Sequence, residues 1–127
     1  MQKLILIFLG SGLGGVLRYI LSGWAQRFGD GSFPLGTLTV NLIGCFLVGF
    51  LSAAFSGRVL IREEYRIALL IGVLGGFTTF STFGLETFTL LNDGEWARAA
   101  WNVGVSVVPG VAAVWIGFRF AEIWLGV

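Results

Sequence analysis

The residues best able to do chemistry lie in one run of small, hydroxyl-bearing and aromatic residues, Gly75-Gly76-Phe77-Thr78-Thr79-Phe80-Ser81-Thr82-Phe83. This run occupies the middle of an apolar stretch, Ile67–Leu91, whose only charge is Glu86. Lipid tolerates a broken helix only where protein or water covers the freed N–H and C=O groups. We therefore predict a helix break that lines a site or a pore. The alternative is a helix whose small residues pack closely against a neighbour.

Among the polar residues inside the apolar stretches, Arg18, Asn41 and Glu86 are the ones that lipid tolerates least. An amide in hydrocarbon must find hydrogen-bond partners, so Asn41 favours a functional role over plain packing. Arg18 and Glu86 fall at similar predicted depth. Because intramembrane ionisable residues are paired, functional or both, a structural ion pair and a role in an ion path both remain open for them.

Phe80 and Phe83 are three residues apart and therefore share one helix face with the hydroxyl-rich turn. The edge of an aromatic ring is electropositive, so two ring edges could hold a small anion without a full positive charge. Taken alone, however, the pair supports only the ordinary interpretation as lipid-facing residues or core filler; it is the neighbouring polar break that allows the other.

The composition requires that these residues be positioned by membrane helices. Of the 127 residues, 56% are hydrophobic and only 12% are charged, whereas soluble domains carry about 25% charged residues. The chain has no histidine, one cysteine (Cys45) and a net charge of +1, so it offers no imidazole chemistry and no disulfide. The charge balance predicts no nucleic-acid partner, and no nucleophile–base pair suggests an enzyme.

Four apolar stretches predict an all-α, multi-pass protein of the plasma or inner membrane: Leu4–Trp24, Leu35–Phe55, Ile67–Leu91 and Ala99–Phe118. Short charged connections join them, so we expect one four-helix domain, residues 1–127, with both termini on one side. Lysine and arginine number five on that side against two or three on the other. This modest bias favours a cytoplasmic location for the termini but does not exclude insertion in both directions.

The predicted depths of the polar residues are asymmetric. Counted from the segment midpoints, Thr37, Asn41, Thr82, Glu86 and Ser106 lie between the midplane and one membrane face. A second, inverted copy would supply the same groups to the other half of the membrane. The sequence therefore predicts an antiparallel homodimer whose two helix breaks meet at the centre.

Three motifs resemble those of the Fluc/CrcB family of small fluoride channels: Gly14-Gly15-Val16-Leu17-Arg18-Tyr19, Gly36-Thr37-Leu38-Thr39-Val40-Asn41-Leu42-Ile43-Gly44, and the run from Gly75 to Phe83. The resemblance covers nearly the whole chain, and the third motif is the most specific. It implies an antiparallel, dual-topology homodimer that exports fluoride passively through two pores.

The resemblance also implies roles for individual residues. Phe80, Phe83 and Asn41 would line the anion path, and hydroxyls such as Ser81, Thr82 and Ser106 would form a polar track; Thr37 and Arg18 are further candidates for this path. Backbone carbonyls of Gly75 and Thr78 from both chains would hold a central structural sodium ion. The fourth helix departs from the family pattern, since Asn102 replaces an aromatic hydroxyl, and this leaves the role of Asn102 open.

Two other functions fit a chain of this size. A small multidrug-type, proton-coupled cation exporter would need a carboxylate deep in the bundle, but the first helix offers Arg18 and no acid, and Glu86 is off-centre. A non-transporting assembly subunit would use the break only for packing. It predicts no ion flux and tolerance of other apolar residues at Phe80 and Phe83.

Overall fold

The computed structural model describes residues 1–127 and contains only helices. The helices are α1 (Gln2–Gln26), α2 (Leu35–Ser56), α3 (Glu63–Ile67), α4 (Leu74–Phe77), α5 (Phe80–Asn92) and α6 (Trp96–Leu125), with a π-helical segment, Ala68–Val73, between α3 and α4. Four helical spans are long and apolar enough to cross a membrane: α1, α2, the third span Glu63–Asn92, and α6. The predicted all-α, four-span architecture is thereby confirmed.

The third and fourth spans are longer than the apolar stretches that predicted them. The third begins at Glu63 rather than Ile67, because acidic residues in a first turn interact favourably with the helix dipole. The α6 helix continues past Phe118 to Leu125. In this extension the Arg119 guanidinium donates to the Glu122 carboxylate at 2.8 Å. This ion pair, three residues apart, stabilises the helix beyond the end of the apolar stretch.

Helix α1 packs against the third span through residues without side chains. A Cβ at Gly14 would collide with the Val73 carbonyl oxygen and the Phe77 backbone nitrogen. On the opposite surface, a Cβ at Gly76 would come within 2.5 Å of the Ser11 carbonyl oxygen. The two backbones therefore approach as closely as small-residue seams allow in membranes, and this contact fixes the half of the third span that precedes the run of threonines.

Helix α2 packs mainly against α6. Gly49 lies against the Val114 carbonyl and Gly117 against the Phe46 carbonyl, and neither position has space for a Cβ. Above this contact, Phe120 and Trp124 stack with rings 6.4 Å apart and 13° between their planes. The rigid α2–α6 pair forms the wall against which α5 lies.

Helix α5 is weakly embedded in the chain. None of its residues is buried within the chain, and it packs sparsely against α6. Its placement therefore depends on a few polar contacts, which also define the candidate site.

Candidate ion pathway

The third span leaves helical geometry at two residues. Thr78 has φ −88° and ψ 158°, and Thr79 has φ −150° and ψ 121°, so both are extended. The Thr79 hydroxyl then accepts a hydrogen bond from the Thr82 N–H at 3.2 Å. Thr79 is thus the N-cap of α5, and threonine is a favoured residue for that position.

The side-chain amide of Asn41 holds the interruption from the neighbouring helix. Its Nδ2 donates to the Thr79 carbonyl oxygen at 3.0 Å, and its Oδ1 accepts from the Thr79 N–H at 2.8 Å. Both backbone groups of one residue are therefore satisfied by one amide. This contact fulfils the expectation that an amide in hydrocarbon finds hydrogen-bond partners.

The interruption leaves four carbonyls, those of residues 75–78, without their helical donors, and for Gly75 and Thr78 the structure shows where the donor has gone. In a continuous helix, Gly75 C=O would accept from the Thr79 N–H, and Thr78 C=O from the Thr82 N–H. The first of these N–H groups instead donates to Asn41, and the second to the Thr79 hydroxyl. Gly75 and Thr78, which carry two of the four freed carbonyls, are the residues that the resemblance assigns to sodium.

On one side of Thr79 lies a groove of about 200 Å³ that we call the aromatic groove; its lining is Asn41, Cys45, Thr79, Phe80, Phe83, Ser106 and Val107. The rings of Phe80 and Phe83 have centroids 5.6 Å apart and a 43° interplanar angle. Phe80 is 84% exposed in the single chain. An electropositive ring edge, an amide and a hydroxyl thus line one small space.

On the other side lies a larger groove of about 750 Å³, here called the polar groove, lined by Ser11, Gly12, Gly15, Val16, Arg18, Tyr19, Ser22, Gly23, Gln26, Thr37, Val40, Thr79, Thr82 and Glu86. Only Thr79 borders both grooves. The two spaces are therefore separated by the residue that Asn41 holds.

Glu86 is bonded to α2 and not to Arg18. The Thr37 hydroxyl donates to Glu86 Oε1 at 2.6 Å, while Glu86 Oε2 is buried without a hydrogen-bond partner. Arg18 makes no ion pair within the chain. The sequence left two alternatives for Arg18 and Glu86, an ion pair or a place in an ion path. The two residues form no ion pair with each other in the structure, and both line the polar groove.

The eight residues predicted for the anion path fall into three groups. Asn41, Phe80, Phe83 and Ser106 line the aromatic groove, whereas Thr37, Thr82 and Arg18 line the polar groove. Ser81 lines neither and is exposed, although its hydroxyl lies 3.4 Å from the Thr79 hydroxyl. Gly75 and Thr78 border a separate cavity of about 180 Å³ beside Gly44 and Cys45.

Two polar contacts near the grooves were not anticipated from the sequence. Asn102 donates from Nδ2 to the Thr87 hydroxyl at 3.0 Å. Gln26 donates to the Phe33 carbonyl at 2.9 Å and accepts from the Gly36 N–H at 3.0 Å, which caps the start of α2. An amide inside an apolar stretch was the only signal for Asn102, and it did not identify the partner.

Comparison of the amino-acid sequence with known proteins identifies a family. The profile described as "CrcB-like protein, Camphor Resistance (CrcB)" matches residues 5–118. The "Fluoride-specific ion channel FluC" of Geobacter metallireducens is 48% identical over 96% of this chain and 98% of its own length. The proteins of the same name from Nitratidesulfovibrio vulgaris (42%; 92% of this chain, 94% of the relative) and Chloroflexus aurantiacus (45%; 99% of each) are similarly related. This chain belongs to the CrcB family.

Proposed function

We propose that the chain forms a fluoride-selective channel through which fluoride leaves the cell passively. The observation that carries this proposal is the aromatic groove, where Asn41, Phe80, Phe83 and Ser106 meet beside the helix interruption. The relatives named as fluoride-specific ion channels supply the identity of the ion. The prediction that the chain is not an enzyme agrees with those names.

The lining of the aromatic groove suits a small, strongly hydrated anion. An anion that enters must exchange its water shell for the groove's own donors: ring edges, the Ser106 hydroxyl and the Asn41 amide. In a narrow site, the number and strength of these donors decide which ion is held well enough to enter and weakly enough to leave.

The polar groove provides an aqueous approach. Arg18 carries a positive charge that no acidic group in the chain pairs with. Glu86 lines the same groove but bonds Thr37, so the field close to Arg18 favours anions. Anions would collect beside Arg18 and reach the aromatic groove past Thr79. Thr79 hydrogen-bonds Thr82 on the polar-groove side and Asn41 on the aromatic-groove side.

The working unit that we propose is an antiparallel homodimer in the plasma or inner membrane. Helix α1 leaves most of its surface uncovered, because only 11% of the residues in its apolar segment are buried within the chain. Phe80 and Gly75 are likewise exposed in the single chain. An inverted copy would cover them and bring the two interruptions together on a two-fold axis in the membrane plane.

Accessibility labelling tests this arrangement. A single cysteine at the exposed turn residue Asp93, introduced by Asp93→Cys in a Cys45→Ser background, should react with a membrane-impermeant reagent from both sides of the cell membrane in similar amounts. Labelling from one side only would eliminate the inverted pair while leaving the channel proposal standing.

A structural sodium ion between the two chains completes the proposal. Hard cations prefer oxygen ligands, and Gly75 and Thr78 each present a carbonyl that lacks its helical N–H donor. In the proposed dimer both chains would contribute such a pair at the centre. A bound cation would balance carbonyl dipoles that lipid cannot satisfy; it holds the two interruptions together and takes no part in anion dehydration.

The two rival functions lose support. The exporter requires a carboxylate that exchanges protons for a cation at mid-bundle, whereas Glu86 lies in a groove beside Arg18 and is tied to Thr37. Membership of the CrcB family also argues against it. The assembly subunit does not account for an amide, a hydroxyl and two rings that converge on one space.

Ion flux from liposomes tests the proposed function directly. Purified protein reconstituted as the only protein should release fluoride much faster than chloride, with no proton gradient applied. Equal rates for the two halides would refute selectivity, and a requirement for a proton gradient would favour the proton-coupled exporter instead. Absence of flux from folded, dimeric protein would favour the assembly subunit.

A further inference from the structure

A chain of hydrogen bonds connects the interior of α6 to the backbone of an aromatic-groove residue. The side chain of Asn102 is almost fully buried, with 2% of the residue exposed. Its amide donates to the Thr87 hydroxyl at 3.0 Å. That hydroxyl in turn donates to the Phe83 carbonyl oxygen at 2.8 Å. Asn102 therefore reaches Phe83 through one intervening side chain.

This contact is the only side-chain hydrogen bond between α5 and α6. Helix α5 has no buried residue of its own, and its other polar tethers, Asn41 to Thr79 and Thr37 to Glu86, both come from α2. Neither of those two tethers reaches α6. The bond from Asn102 is therefore the side-chain hydrogen bond that sets the distance between α5 and α6, one helical turn after Phe83.

Asn102 contributes to none of the described grooves, yet it lies one helical turn from Ser106, which lines the aromatic groove. We propose that Asn102 is a positioning residue for the anion path: acting through Thr87, it holds the Phe83 ring at its distance from the Ser106 wall. This inference rests on the proposed function. It assigns Asn102 no contact with the ion.

The competing interpretation is a buried amide that merely stabilises the helix pair. Such an amide would change the yield or the thermal stability of the protein when replaced, but it would leave the Phe83 ring and the ion selectivity of the folded protein unchanged. A positioning residue must change both. The two roles are therefore separated by measurements on folded protein rather than by stability.

The variants are Asn102→Leu, Thr87→Val, the double variant, and Thr87→Ser, which keeps the hydroxyl. Each of the first two should slow fluoride flux per folded protein roughly three- to tenfold, the effect expected from losing one intramembrane hydrogen bond. The double variant should be no slower than either single variant, because both remove the same link. Thr87→Ser should restore flux. Thr39→Val is the matched control, since that hydroxyl bonds only the Leu35 carbonyl of its own helix.

A fluorine label makes the test independent of transport. With 4-fluorophenylalanine at position 83, Asn102→Leu and Thr87→Val should move the ¹⁹F resonance in the same way and lower the ratio of fluoride to chloride flux. An unshifted resonance or an unchanged flux ratio in both variants would overturn the positioning role. If wild-type protein carried no fluoride, the proposed function would fail, while the resonance would still report whether Asn102 holds Phe83. Thr87→Val is nearly isosteric, so it keeps the test open should Asn102→Leu not fold.

Discussion

Replacing Asn41 by leucine removes the amide that holds the helix interruption while keeping the side-chain volume similar. The Thr79 N–H would then lose its partner, and the Thr79 C=O would lose the amide donor but keep the first intrahelical bond of α5. The freed N–H lies four residues after Gly75 and can donate to its carbonyl, which restores a helical turn. We therefore expect Asn41→Leu to close the interruption and to cover one of the four freed carbonyls, that of Gly75.

The magnitude follows from the two hydrogen bonds. Side-chain hydrogen bonds inside membrane proteins average about 0.6 kcal/mol and reach about 1.7 kcal/mol. Losing two costs the interrupted conformation about 1–3 kcal/mol, which corresponds to about 5–150-fold in its population. If only the interrupted conformation conducts, fluoride flux should fall by a factor in this range.

Two measurements check this expectation together: fluoride efflux from liposomes, and amide hydrogen exchange at Thr79 in the same preparation. Asn92→Leu is the control, because it makes the same chemical change at the exposed end of α5, where the amide has no hydrogen-bond partner. Flux within twofold of wild type, with unaltered exchange at Thr79, would show that the interruption does not depend on Asn41 and would refute the argument.

Three further outcomes follow from the structure. Phe80→Ile and Phe83→Ile should each reduce fluoride flux several-fold, because isoleucine keeps apolar volume but has no ring edge. The control Phe8→Ile, at a position about as exposed as Phe80, should leave flux unchanged. Normal flux in both groove variants would disprove the anion contact. Gly14→Ala should lower the melting temperature at a cost of about 1–3 kcal/mol, since its Cβ meets the backbone of the third span, whereas Gly12→Ala on the same helix has open space and should melt like wild type. Exchange of sodium for a larger monovalent cation should lower fluoride flux and dimer stability. Full activity in sodium-free buffer would contradict the proposed sodium site.

The four spans could be predicted because burial in lipid leaves long apolar stretches in any sequence. Their ends could not, since hydropathy measures contact with hydrocarbon and not helix formation. Glu63 and Glu64 are polar, yet they stabilise a helix start, and the Arg119–Glu122 pair extends α6 beyond the apolar core. The π-helical turn at Ala68–Val73 has no signature that distinguishes it from α-helix in sequence.

The candidate site was predictable in its residue types but not in its connections. The sequence indicated that Asn41 needs partners, but not that one amide would bond both backbone groups of Thr79, 38 residues away. It left Arg18 and Glu86 as a possible pair, whereas Thr37 is the group that bonds the carboxylate. Partner choice depends on how helices rotate against each other, which the glycine contacts set.

The length of α6 has a consequence for how the chain sits in a bilayer. Trp96 and Trp124 near its ends are both exposed, and at 1.5 Å per residue they stand about 42 Å apart, which equals the full thickness of a bilayer including its headgroups. Indole rings prefer the interface between membrane and water. Each end of α6 is therefore anchored at one interface, and Gly110, midway between the two tryptophans, lies near the membrane centre. A tilt of about 20° would leave the indoles about 39 Å apart along the membrane normal, still outside the hydrocarbon of about 30 Å, and inverting the chain would exchange one tryptophan for the other. These anchors therefore fix the depth of the protein while giving no preference to either orientation.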